Sequence, residues 1–182
     1  MHVSNLVIQL VGFAAMALMI ASYQMKSNRL LFIVQSLGLV TVGLQFLLMN
    51  QLSASISLVL CLVRNMILVK YNDWAWVRWK GLMWVFCAGF TLITVLTWTG
   101  PICILPWLGT VSGTIGYMTN NAQKIRLATL VCSSPSWLLY DLIVGSWGGF
   151  INESITLLSI IISIKRYGWK NMGDPDSEFQ KG

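Results

Sequence analysis

The sequence predicts an all-α membrane protein of seven transmembrane helices, arranged as two parallel three-helix repeats joined by a linker helix. Three observations predict it. Of the 182 residues, 56% are hydrophobic and only 10% are charged, against about 25% charged in soluble domains. So little charge cannot cover a water-facing surface. The apolar residues fall in continuous runs, each suited to a helix of roughly 20 residues crossing a hydrocarbon core; a membrane β-barrel shows alternating segments of ~10 residues instead. Basic and neutral connections also alternate along the chain, which is the positive-inside pattern of a polytopic protein.

The first run, residues 5–23, has no basic segment before it and exceeds the roughly 7–15 apolar residues of a cleaved signal peptide, so it is predicted as a span. Lys26 and Arg29 follow it. The second run, 30–49, returns to the neutral pair Asn50-Gln51, and the third, 52–69, ends at Lys70. Arg78 and Lys80 precede the fourth, 81–99, which closes on Gly100-Pro101. The fifth, 102–117, is short and rich in Gly and Thr, and Lys124 and Arg126 separate it from the sixth, 127–144. Gly145-Ser146 is neutral, and Lys165, Arg166, Lys170 and Lys181 follow the seventh, 147–164. The alternation sets the N-terminus outside and the C-terminus in the cytoplasm, and it requires an odd number of spans. The organisation is then residues 1–71 for the first triplet, 72–99 for a cytoplasmic loop and the linker helix, 100–167 for the second triplet and 168–182 for a polar cytoplasmic tail. The net charge of +6 is accounted for by this placement, and no nucleic-acid partner is expected.

An offset of 96 residues lays the second run on the sixth and the third on the seventh. Gly38, Thr41 and Gln45 then fall on Ser134, Trp137 and Asp141, both sets spaced i, i+3, i+7 on one helical face. Lys70-Tyr71 falls on Arg166-Tyr167, and Gly12 corresponds to Gly109 at an offset of 97. With one span between them, both triplets enter the bilayer from the same side. Parallel repeats about an axis along the membrane normal are a transporter design, with the site near the midplane between them.

Four segments carry a resemblance to a family: Ser22-Tyr23-Gln24-Met25-Lys26, Val63-Arg64-Asn65-Met66-Ile67, Leu105-Pro106-Trp107-Leu108-Gly109-Thr110, and Gly145-Ser146-Trp147-Gly148-Gly149-Phe150-Ile151-Asn152-Glu153. Together they resemble the YgjV family of bacterial inner-membrane proteins, over nearly the whole chain. That family is similar in layout to the SWEET and PQ-loop transporters. The resemblance implies a small-molecule carrier fold in the inner membrane and names no substrate. One feature departs from the SWEET-like pattern of prolines in both triplets: Pro106 and Pro135 both lie in the second.

Ionisable residues inside a membrane are expensive and by default candidates for function. Arg64, Asp141 and Glu153 qualify. The two carboxylates lie toward the outer ends of their spans, where they either bind a cation, a proton or an amine-bearing substrate, or are simply hydrated at the interface. Arg64 shares a face with Ser53, Ser57 and Cys61. It either serves a site with Asn65 or snorkels to the cytoplasmic interface. Asn152, Thr156, Ser159 and Ser163 form a stripe that either lines a wet pathway or bonds to another helix. Trp137, on the face of Ser134 and Asp141, suits a flat, partly apolar solute or ordinary packing. The candidate substrate-binding set is Asp141, Glu153, Asn152, Trp137, Gln45, Arg64 and Asn65.

Most remaining signals are structural. Trp74, Trp76, Trp79, Trp98, Trp107, Trp147 and Trp169 read as an interfacial aromatic belt. Ala14, Ala17 and Ala21, like Gly109, Gly113 and Gly116, read as faces for close helix approach. Cys61, Cys87, Cys103 and Cys132 show no C-x-x-C spacing, and His2 is the sole histidine. No metal and no cofactor is expected, and no enzyme activity, since Asp141 with Glu153 is the only catalytic pair on offer. The leading expectation is a transporter or facilitator of a small polar metabolite, sugar- or nucleoside-like, whose partners are the lipid bilayer, that solute and a second copy of the chain. The alternative is a membrane scaffold or assembly protein. Polar stripes converging on a cavity favour the first, and stripes packed face to face favour the second.

Overall fold

The computed structural model describes residues 5–23, 28–71, 73–119 and 122–167. Among these residues there is no strand, and the long elements are all helical. They are α1 (Asn5–Tyr23), α2 (Asn28–Leu48), α3 (Leu52–Leu68), α4 (Lys80–Leu96), α5 (Ile104–Met118), α6 (Ala122–Ala128), α7 (Ser134–Val144) and α8 (Trp147–Tyr167). A π-helical turn, Thr129–Ser133, joins α6 to α7, so the described chain forms seven rods. The rods follow the seven apolar runs, with one marked difference. The sixth begins at Ala122, five residues before its apolar run, because Gln123, Lys124 and Arg126 are good helix formers and continue the helix without being apolar. The segment Gln24-Met25-Lys26 and the tail lie outside the described residues.

Gln123–Val144 is 22 residues long with a mean hydropathy of 1.4, and it is the one described helix both long and apolar enough to cross a membrane unaided by neighbours. Asn5–Ala21, Ile33–Leu48, Leu52–Leu68, Lys80–Leu96 and Trp147–Ile162 are shorter apolar helices. The outside of the bundle is strongly apolar: Leu6, Trp84, Leu96 and Val131 each leave about two thirds or more of their surface uncovered. Soluble monomers rarely expose large contiguous apolar patches.

The rods pack in a ring. α1 lies against α2 and α8, α2 against α3, and α3 against α5. The rod of α6 and α7 lies against α5, and α7 closes onto α8. The remaining helix, α4, packs on α3 and α5.

Two tight corners fix the ring. Asn50, between α2 and α3, has φ 57°, and Gly145, between α7 and α8, has φ 77°. Both are left-handed positions, which Gly and Asn adopt at least cost. After each, the next backbone N–H reaches back to the helix: Gln51 to the Phe46 carbonyl at 2.8 Å, and Ser146 to the Asp141 carbonyl at 2.9 Å. These are Schellman closures, and an offset of 95 residues relates one to the other.

The face expected for α2 differs by one residue from the face that turns inward. Ser134, Trp137 and Asp141 do face inward, but at 95 residues their counterparts on α2 are Leu39, Val42 and Phe46, and these too face inward. Of Gly38, Thr41 and Gln45, only Gln45 does. Gly38 lies so close to Met19 that a methyl group there would sit 2.8 Å from the sulfur, and the Thr41 hydroxyl donates to the Leu37 carbonyl at 3.0 Å. One residue turns a helix by about 100°, and apolar runs do not encode that rotation. The expected alanine face of α1 is corrected likewise. Ala14 and Ala17 are exposed, whereas Gly12 and Ala15 are buried.

Candidate functional site

The six rods other than α4 line a cavity of about 110 Å³. Close helix approach creates it. A methyl group on Gly12 would lie 2.7 Å from Gln45 Cδ, one on Gly109 would lie 2.5 Å from the Trp137 ring, and one on Gly148 would lie 2.5 Å from the Gly12 backbone. These glycines let α1 meet α8, and they let the Gln45 and Trp137 side chains reach the interior.

One end of the cavity is acidic. Asp141 comes from α7 and is 3% exposed. Its carboxylate sits against Gly149 of α8, where a methyl group would fall 2.6 Å from Oδ1. Glu153 stands one turn further along α8, on the same face as Gly149, and accepts a hydrogen bond from Asn152 Nδ2 at 3.4 Å. Neither carboxylate has a basic residue within ion-pair distance among the described residues. Three buried polar atoms of the lining lack a partner: Asp141 Oδ1, Asn152 Oδ1 and Gln45 Nε2. The sequence placed all four residues in the candidate set, and the structure brings them together. Trp137 forms the adjoining wall, stacked on Phe46 with ring centroids 5.9 Å apart at 19°, and Tyr140 packs edge-on against both rings.

The other end is basic, and its arginine is held by neighbouring side chains. Arg64 is 4% exposed and donates from Nη1 to Thr114 Oγ1 at 2.7 Å and from Nη2 to Asn65 Oδ1 at 3.0 Å. Its guanidinium lies 4.9 Å from the centre of the Tyr117 ring. Asn65 Nδ2 donates to Gln35 Oε1 at 3.2 Å, and Gln35 Nε2 donates to the Tyr117 hydroxyl at 3.3 Å. The snorkelling expectation for Arg64 is thereby overturned: the side chain turns inward and links α3 to α5 because that interior supplies partners for its donors. Ser53, Ser57 and Cys61 share its buried face, as their spacing predicts. Asn65 itself does not line the cavity; it holds Arg64 and Gln35 in place.

Sequence reasoning missed Gln35, Thr114 and Tyr117. Only an arginine needing partners signalled them, and a sequence does not say which helix supplies those partners. The stripe on α8 is shorter than expected. Asn152 and Thr156 are buried, but Ser159 is exposed and Ile160 is buried instead; the side chain of Ser163 lies outside the described residues.

In the comparisons with known proteins, the family described as Imp-YgjV, bacterial inner membrane protein, matches residues 6–171, most of the chain. No curated protein and no solved structure matches.

Proposed function

We propose a transport role for this chain, which belongs to the Imp-YgjV family of bacterial inner membrane proteins. In this reading it is a carrier or facilitator of a small polar metabolite, and the cavity is its site. One observation carries the reading: six rods converge on a cavity that keeps Asp141 Oδ1, Asn152 Oδ1 and Gln45 Nε2 buried and unpartnered. Each such group costs about 1–3 kcal/mol when left unpaired. A scaffold gains nothing from that arrangement, whereas a passing solute or its water supplies the missing partners.

The two corners at Asn50 and Gly145 support a three-plus-one-plus-three layout, with α1–α3 and α5–α8 as parallel repeats and α4 as the linker. The volume of about 110 Å³ is smaller than the ~300 Å³ or more of open ligand clefts. At that size a whole sugar or nucleoside enters only once the rods part. With the N-terminus outside, the acidic end faces outward, and the Arg64 network closes the cavity toward the cytoplasm. The movable triplet is then the second, which holds Pro106 and Pro135.

A thermal-shift screen of the purified protein against sugars, nucleosides, vitamins and amino acids, followed by uptake into proteoliposomes, tests the reading. Specific binding raises the melting temperature by mass action, and saturable uptake of the same solute is expected. A protein that binds and moves none of these classes is a scaffold.

A further inference from the structure

The lining of the acidic end is chemically one-sided. Its unpartnered oxygens, Asp141 Oδ1 and Asn152 Oδ1, are acceptors held by two buried residues of different helices, and Glu153 adds a second carboxylate beside Asn152. No cationic side chain from α1, α2, α5, α7 or α8 lines this end. The one lining cation is Arg64, at the far end, where Thr114, Asn65 and Tyr117 already hold it. Secluded carboxylates without a fixed cation either take up a proton or pair with a mobile cation, and the unpartnered Asp141 Oδ1 and Asn152 Oδ1 acceptors are placed for the second. Beside them the wall is aromatic and apolar, from Trp137, Phe46 and Val42. A bare metal ion prefers a near-complete oxygen shell of six or more ligands and has no use for such a wall. An ammonium group carries three donors to be met by acceptors, and its carbon chain gains by burial against an apolar, aromatic wall.

We infer that the cavity is a binding site for a small organic amine, its ammonium held by Asp141, Asn152 and Glu153 and its carbon chain laid on Trp137 and Phe46. This names the solute class of the transport reading above and rests on it for its physiological purpose.

The test uses the full chain in lipid nanodiscs, in potassium phosphate buffer, titrated calorimetrically with n-butylamine, 1-butanol and butyrate. The expected result is binding of the amine alone, weakened about tenfold or more by Asp141→Asn, the scale of losing a hydrogen bond to a charged group. Asn152→Ala, which leaves the charge unchanged, weakens it in the same direction, and an unchanged elution profile shows that each variant is folded. Butanol or butyrate binding as tightly as butylamine overturns the proposal. So does sodium chloride that stabilises the protein by itself and abolishes the amine signal, which makes the site a metal-ion site. Amine binding with no proteoliposome uptake of labelled butylamine sustains the amine site and removes the transport reading. Saturable uptake of a neutral sugar with no amine binding overturns the amine site and leaves transport standing.

Discussion

The Tyr140 hydroxyl donates a hydrogen bond to Gln51 Oε1 at 3.1 Å, joining the end of α7 to the corner between α2 and α3. Its counterpart runs the other way: the Ser146 hydroxyl, at the corner between α7 and α8, donates to Gln45 Oε1 at 3.5 Å near the end of α2. An offset of 95 residues carries Gln45 onto Tyr140 and Gln51 onto Ser146. The two contacts therefore share the 95-residue offset that relates the two corners.

Tyr140→Phe tests whether these contacts hold the halves together. It removes one donor and leaves the ring packing on Phe46 and Trp137 intact. The expected cost is about 0.5–1.5 kcal/mol, read as a melting temperature lower by a few degrees in the purified protein. An unchanged melting temperature would show that the bond contributes nothing.

Arg64→Lys retains the charge and loses the geometry. A lysine cannot reach Thr114 and Asn65 with a rigid fork while lying over the Tyr117 ring. A destabilisation of about 1–3 kcal/mol is expected, with Thr114→Val producing a smaller loss in the same direction. Wild-type stability in Arg64→Lys would mean that the guanidinium network is incidental.

Adjacent glycines on α8 should fail differently. Alanine at Gly148 meets the backbone of Gly12, which cannot yield without moving α1, so a cost of about 1–3 kcal/mol from overpacking is expected. Alanine at Gly149 meets the carboxylate of Asp141, a side chain that can rotate away. Gly149→Ala should keep most of its stability and lose ligand binding. Denaturation midpoints and calorimetry on both variants check this, and the reverse pattern contradicts the placement of Asp141.

Protons and a cationic solute compete for the same carboxylates. Amine binding should therefore weaken as the medium is acidified from about pH 8 to about pH 5, and Glu153→Gln should flatten that dependence while leaving the fold intact. The titratable groups lining the cavity are Asp141, Glu153, Arg64, Cys61 and Tyr117, and the last three belong to the opposite end or the wall leading to it. Identical pH profiles for wild type, Asp141→Asn and Glu153→Gln exclude both carboxylates from the site.

Orientation is checked by labelling. In a chain freed of its native cysteines, Leu52→Cys and Lys124→Cys are predicted to react with an impermeant thiol reagent from opposite sides of the membrane. Equal access from outside contradicts the topology.

The candidate site was partly legible before the fold was. Asp141, Glu153 and Arg64 stood out because charge is scarce in this sequence, and scarcity makes each instance informative. Gln35, Thr114 and Tyr117 did not, since amides, threonines and tyrosines are common in apolar helices and acquire a role only from the neighbour they meet. The same limit explains Arg64. Its distance along the helix from Lys70 permits snorkelling, and only the presence of Thr114 and Tyr117 across the α3–α5 contact makes the inward rotamer the better one.

The sequence by itself determined the seven apolar runs and the breaks between them, because burial in lipid or in a helix core imposes composition residue by residue. The rotation of each helix about its axis was decided only by tertiary structure. An apolar run looks alike on every face, so which side of α2 and of α7 turns inward was set by packing and by the left-handed corners at Asn50 and Gly145 that follow them. The same holds for α1, whose buried face is chosen by the collision-free approach of Gly12 to Gly148, and not by the more numerous alanines.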